Sequence, residues 1–179
     1  MSQAPLVIAS GVDHFPGFLD RAAQEALRDD VMAILGQAPL FRPRMPRTGK
    51  PFTVLMSNCG PLGWVSDEAG YRYQPTHPKT GRNWPPMPPT LLAAFAAIAP
   101  GAPPPEACLI NLYDSSARMG LHQDRDEEEL SAPVVSVSLG GAGRLAFHGV
   151  DRVIPGSSTL LAEGGRINLT LRRVTRAPR

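Results

Sequence analysis

The chain has 179 residues, 42% of them apolar and 19% charged, with 18 Lys and Arg against 16 Asp and Glu. That balance excludes a disordered tail and a coiled coil, and the size fits one domain able to bury about two thirds of its unfolded surface. Twenty prolines and 17 glycines disfavour a helical bundle, and a net charge of +2 permits a nucleic-acid partner without requiring one.

In chain order, Pro5–Ser10 (PLVIAS) reads as a short first strand. From Phe18 to Leu35 the apolar positions recur at helical spacing, and Gly36 and Pro39 are expected to end the helix. Arg42, Arg44, Arg47 and Lys50 form a basic loop, and Phe52–Ser57 reads as a strand. Gly60–Pro89 holds Trp64, Tyr71, Tyr73 and Trp84 among seven prolines and is read as a thirty-residue loop serving as a binding segment or lid. Thr90 is the expected N-cap of a short helix over LLAAFAAIA. This apolar run, Leu91–Ala99, is the longest in the chain and falls far short of a membrane span, and the N-terminus shows no secretion signal.

Beyond residue 105 the period changes. Cys108–Tyr113, Pro133–Leu139, Leu145–Val150, Ser158–Leu161 and Arg166–Arg173 read as short strands of an antiparallel sandwich or barrel, which makes the class α+β. The cysteines, Cys59 and Cys108, form no CxxC pair and read as structural, which suits a reducing, cytoplasmic setting.

Chemistry concentrates in this half. In extended backbone the side chains of His122 and Asp124 share a face. A second imidazole from His148 would complete a two-histidine, one-carboxylate set, the ligand pattern of non-haem Fe(II) oxygenases; a chance HxD at a turn with a core His148 is the bland alternative. On Arg166–Arg172, alternation puts Ile167, Leu169 and Leu171 on one face and Arg166, Asn168, Thr170 and Arg172 on the other. That polar face either meets water or aims two planar guanidiniums at an anionic ligand, with Asn111 and Tyr113 as added donors. Beside an Fe(II) site, a dicarboxylate would be 2-oxoglutarate. His14 and His77 receive no role.

The segments SNCGPLGWVSDEAGYRYQP, NLYDSSARMGLHQDRDEEELSAPVVSVSLG, RLAFHGV and RINLTLRR, in this order from about Phe52 to Arg173, closely resemble the AlkB family of Fe(II)- and 2-oxoglutarate-dependent nucleic-acid dealkylases. The resemblance implies a double-stranded β-helix (jelly-roll) core with the N-terminal helices packed on one sheet. It implies one dioxygenase domain over 1–179, with an N-terminal extension and nucleotide-recognition lid to about 105 and the catalytic core over about 106–173. His122, Asp124 and His148 would hold the iron. Arg166 and Arg172 would bind the two carboxylates of 2-oxoglutarate, Arg166 the distal one, with Asn111, Tyr113 and Asn168 hydrogen-bonding the same co-substrate. Met56, Trp64 and Tyr71 would line the pocket for a flipped base, Asp126 would contact an exocyclic amine, and Arg125 and the basic loop would contact phosphates. The implied reaction is oxidative demethylation of bases such as 1-methyladenine and 3-methylcytosine in DNA or RNA by a monomer without membrane contact, consuming O2 and releasing formaldehyde, succinate and CO2.

One interval departs from the family. Asp124 and His148 are too close by two to three strands, on the order of 20–30 residues. An incomplete sequence, marked by a chain break between about Leu139 and Ala142, is the expectation; a true deletion is the alternative. A deletion would favour a binding module with the same fold and impaired catalysis. A zinc hydrolase on the same three ligands leaves the two arginines unused.

Overall fold

The structure is a computed structural model describing residues 4–119, 129, 131–141, 143–145 and 150–176. Its centre is an antiparallel sheet of four strands: β3 (Leu55–Cys59), β6 (Ala107–Tyr113), β10 (Arg166–Arg172) and β7 (Val135–Gly140), in that spatial order. One face carries Cys108, Ile110, Leu139, Ile167, Leu169 and Leu171 and packs against helices α1 (Arg21–Gln37) and α2 (Pro89–Ile98). Helix α1 offers Leu27, Val31 and Ile34, the stripe its 3.6-residue period places on one side, and Asp20 caps it by accepting from the Ala23 N–H at 2.8 Å. The other face meets a second core of Phe41, Val54, Met56, Trp84, Tyr113, Val150 and Val153.

Strands β8 (Gly143–Leu145) and β9 (Val150–Val153) pair with each other, and Val150 is bridged to Met119. Among the described residues β8 and β9 form a two-stranded sheet of their own, which that bridge ties to the chain after β6. At the N-terminus β1 (Leu6–Ala9) and β2 (Val12–His14) form an exposed hairpin. Neither described helix is long and apolar enough to cross a membrane.

Several expectations need correction. The segment read as a long loop contains a hairpin, β4 (Gly63–Asp67) and β5 (Gly70–Gln74). Its prolines misled: Pro61 and Pro75 bracket residues 62–74, which contain none. Asp67 closes the turn by accepting from the Ala69 N–H at 2.9 Å and from both Nη atoms of Arg72 at 2.8 Å. Thr90 does not cap α2. Pro88 holds that position, and the Thr90 hydroxyl donates to Asp30 of α1 at 2.9 Å instead.

Of the Leu145–Val150 run, Leu145 ends β8 and Val150 opens β9 while 146–149 lie outside the described residues, and Ser158–Leu161 is no strand. Leu160 and Leu161 are buried in the helix-side core through a loop that Arg28 of α1 holds by donating to the Leu160 carbonyl at 3.2 Å. Where a break was expected, β7 runs to Gly140 and on to Gly141, whose N–H donates to Gly165 O at 2.7 Å, and Ala142 lies outside the described residues.

Candidate active site

The site-facing residues of the central sheet are set by register. Arg166 lies opposite Tyr113, Asn168 opposite Asn111, and Met56 on β3 opposite Asn111 from the other side. On the outer neighbour, Ser138 and Ser136 face Asn168 and Thr170. Period-two alternation therefore gathers Met56, Asn111, Tyr113, Arg166, Asn168 and Ser138 on one face. Arg172 shares it, six residues and roughly 20 Å along the strand from Arg166.

The polar face of β10 is largely buried, with Asn168 half-buried at its middle. Arg166 is 8% exposed, Arg172 7%, Asn111 3% and Tyr113 2%. The Arg166 guanidinium donates to Ser138 Oγ and, at 3.5 Å, to the Gly141 carbonyl, while its Nε is buried with no hydrogen-bond partner among the described residues. Asn111 Oδ1 is likewise unpartnered there. No described carboxylate pairs with Arg166, and burial lowers its pKa. A desolvated cation with a spare donor is costly by itself and suits an anionic ligand. Beside it, burial pushes the Tyr113 phenol up to about 12, so it stays protonated, and it donates to Met119 Sδ at 3.5 Å. Asn168 Nδ2 donates to Ser136 Oγ at 2.8 Å, and its oxygen accepts from Thr170 Oγ1 at 3.0 Å. The donor set fits a carboxylate-bearing co-substrate such as 2-oxoglutarate: a buried guanidinium, a neutral phenol and amides on one wall.

Glycine at 165 is a steric requirement of this corner. It adopts φ +91°, and a Cβ there would lie 2.6 Å from the Tyr113 carbonyl oxygen. A cavity of about 720 Å³ opens at the same end, lined in part by Tyr113, Gly141, Val153, Leu161 and Gly165.

His122, Asp124 and His148 lie outside the described residues, as do Arg125 and Asp126. The described chain flanking the three ligands does come together: Met119, three residues before His122, and Val150, two after His148, exchange main-chain hydrogen bonds of 3.0 and 3.1 Å. Among the described residues no group of three His, Cys, Asp or Glu could hold a metal.

The base-pocket residues separate by depth. Met56 is 1% exposed, deep in the second core. Trp64 is half-buried, stacked on the exposed Tyr71 ring at 5.6 Å and 23°, with Phe52 edge-on at 6.2 Å. The basic loop is partly committed to its own backbone. Arg42 donates to the Phe52 and Thr53 carbonyls at 3.1 and 2.8 Å, and Arg44 to that of Gly49 at 2.8 Å.

Sequence reading gave His77 no role, yet it is 2% exposed in an aromatic cluster with Phe41 and Trp84. Its Nδ1 accepts from the N–H groups of Lys79 and Thr80, at 3.1 and 3.2 Å. Nε2 therefore carries the proton and donates to Pro39 O at 2.7 Å, leaving no nitrogen for a metal. Cys59 and Cys108 are buried, free and directly opposite across β3 and β6, as a structural role requires. Ser136 and Ser138 were also missed, although the alternation in VSVSLG is their signal.

Against known proteins, residues 11–145 match the model of the 2OG-Fe(II) oxygenase superfamily. The chain is thus an enzyme of the class that uses Fe(II) with 2-oxoglutarate and O2. It is 46% identical over 207 residues to the alpha-ketoglutarate-dependent dioxygenase AlkB homolog of Caulobacter vibrioides, covering 99% of this chain and 94% of that one. It is 42% identical over 166 residues to the alpha-ketoglutarate-dependent dioxygenase AlkB of Escherichia coli, covering 90% and 75%. The solved structure of OsALKBH1 superposes with a TM-score of 0.70 at 26% identity, covering 89% of this chain and 96% of that one. The chain belongs to the AlkB family of 2-oxoglutarate-dependent dioxygenases, and the jelly-roll expectation stands. An alignment of 207 residues against a chain of 179 leaves at least 28 positions of the Caulobacter protein without a counterpart, the size of the shortfall between Asp124 and His148.

Proposed function

We propose that this enzyme oxidatively demethylates N-alkylated bases in DNA, with 1-methyladenine and 3-methylcytosine as the first substrates to test and RNA as a second nucleic acid. The observation that carries the reading is Arg166: a buried guanidinium beside no described carboxylate, on a wall of amides and a neutral phenol. Iron(II) with 2-oxoglutarate and O2 supplies the oxidation of the N-methyl group, with formaldehyde, succinate and CO2 as products.

The rest falls to side chains. His122, Asp124 and His148 hold the metal, a reading supported by the meeting of their flanks at Met119 and Val150. Arg166 neutralises the distal carboxylate of 2-oxoglutarate and Arg172 the other, while Asn111, Tyr113 and Asn168 fix its orientation by hydrogen bonds. The base reaches the site flipped from its stack, held by Trp64 and Tyr71 over Met56. Asp126 accepts from an exocyclic amine, and Arg125 with the exposed part of the basic loop meets phosphates. The protein works as a monomer in the cytoplasm.

Formaldehyde and succinate release from a methylated oligonucleotide tests the reading. Release that needs both Fe(II) and 2-oxoglutarate, and that Asp124→Ala abolishes while oligonucleotide binding persists, is the expected result. Binding without turnover in the parent protein would instead mark a recognition module.

A further inference from the structure

Asn58 is a buried polar side chain for which the proposed chemistry has no task. It lies on β3 two residues beyond Met56, so both side chains leave the strand on the site face. It is 0% exposed, and its amide spans one residue of the lid hairpin. Nδ2 donates to the Trp64 carbonyl at 3.0 Å, and Oδ1 accepts from the Trp64 N–H at 3.0 Å. Trp64 and Tyr73 stand opposite on β4 and β5. With both main-chain groups of Trp64 turned to Asn58, theirs is a non-hydrogen-bonded pair. The amide takes the place of a neighbouring strand at this point of β4. The approach is tight: a Cβ on Gly63 would fall 2.7 Å from Asn58 Cβ and 2.5 Å from the Trp84 ring, so the hairpin sits down on Asn58 only because residue 63 has no side chain.

We propose that Asn58 is a substrate-positioning residue: by gripping the Trp64 main chain it fixes the height and tilt of the indole stacked on Tyr71, and so sets affinity for the methylated base. The inference rests on the reading of Trp64 as a base-pocket residue. Its chemical logic is the pairing of one donor with one acceptor on a short, planar group. Alanine offers neither. An ionised aspartate offers acceptors only and repels the Trp64 carbonyl, whereas a protonated aspartic acid restores both.

The test uses the full chain loaded with Fe(II) and 2-oxoglutarate, with a methylated oligonucleotide as probe. Asn58→Ala is expected to raise the oligonucleotide KM about tenfold. The 2-oxoglutarate KM, and the succinate formed without oligonucleotide, should stay within about twofold of the parent. The quenching of Trp64 fluorescence by the oligonucleotide, read against Trp64→Phe, should shift its midpoint by the same factor as the KM.

Asn58→Asp should resemble Asn58→Ala at about pH 8 and return toward the parent, compared at equal pH, as falling pH protonates the carboxyl, a step that burial beside the Trp64 carbonyl favours. That variant carries the test if the alanine protein does not fold. Unchanged oligonucleotide KM and quenching in both variants would overturn the proposal, as would a parallel fall in succinate formation without oligonucleotide, or a defect in Asn58→Asp that ignores pH. A parent protein whose Trp64 is not quenched at all would overturn the base-pocket reading and the proposal with it. Quenching that is present in the parent and unaltered in the variants would sink the role of Asn58 alone.

Discussion

The two faces of β10 are both largely buried, Asn168 alone being half-buried, and are chemically opposite. Ile167, Leu169 and Leu171 are each 0% exposed against α1 and α2. One residue away on the same backbone, Arg166, Thr170 and Arg172 are no more than 8% exposed on the other side. An apolar face buried this way yields its stability from packing and needs nothing further. A cationic face buried this way loses hydration that the described neighbours only partly replace, because Arg166 finds a serine hydroxyl and a long contact to a carbonyl but no carboxylate. The difference teaches that this one strand divides its chemistry: one side packs the core, and the other carries buried cations that suit the proposed co-substrate.

Substitutions on the two faces should therefore fail in different ways. Leu169→Ala leaves a cavity between sheet and helices and should cost about 2–5 kcal/mol in denaturant unfolding, with 2-oxoglutarate affinity of the folded fraction unchanged. Arg166→Met should show the reverse. Removing a charge-assisted contact worth about 1.5–3 kcal/mol raises the 2-oxoglutarate KM roughly 10- to 150-fold, while the ligand-free protein melts at the same temperature or higher. If Arg166→Met also destabilises the ligand-free protein as Leu169→Ala does, the guanidinium is a structural group and the division fails.

Two smaller effects sharpen the contrast at the corner where the faces meet. Gly165→Ala should cost about 1–3 kcal/mol, since the new methyl group strikes the Tyr113 carbonyl and the backbone resists φ +91°. The same change should weaken 2-oxoglutarate binding, because Arg166 is the next residue; calorimetric titration against thermal melting reads both.

Tyr113 gives a pH signature. Burial pushes its phenol up from an ordinary 10.0 to about 12 in the folded protein, so the native state keeps its proton longer than the unfolded chain. The stability this contributes is whole below pH 10 and is lost as pH rises through 12. Tyr113→Phe should flatten the fall in unfolding free energy across that window. A profile identical to the parent's would mean that the phenol is not desolvated as its position implies.

Much of the central sheet was legible because its signals are local. The period-two alternation of Arg166–Arg172 separated the two faces correctly, and the helical recurrence over Phe18–Leu35 placed α1, whose buried stripe is Leu27, Val31 and Ile34. The β4–β5 hairpin was missed because prolines crowd its flanks, although the run between Pro61 and Pro75 is free of them. Thr90 was misread because its sequence position suits a cap, while its hydroxyl found Asp30 sixty residues earlier. His77 was passed over for a similar reason: its ring is held by Pro39 and by the chain just beyond it, an arrangement no spacing rule describes.

The sequence by itself determined the periodicities, the donor-bearing residues and the family, since these follow from residue order alone. Whether the polar side of β10 faces water or a sealed wall was left to the tertiary structure, because burial depends on β6, β7 and β3 arriving alongside from distant parts of the chain. The same holds for Asn58, whose amide became a substitute strand only when β4 settled against it.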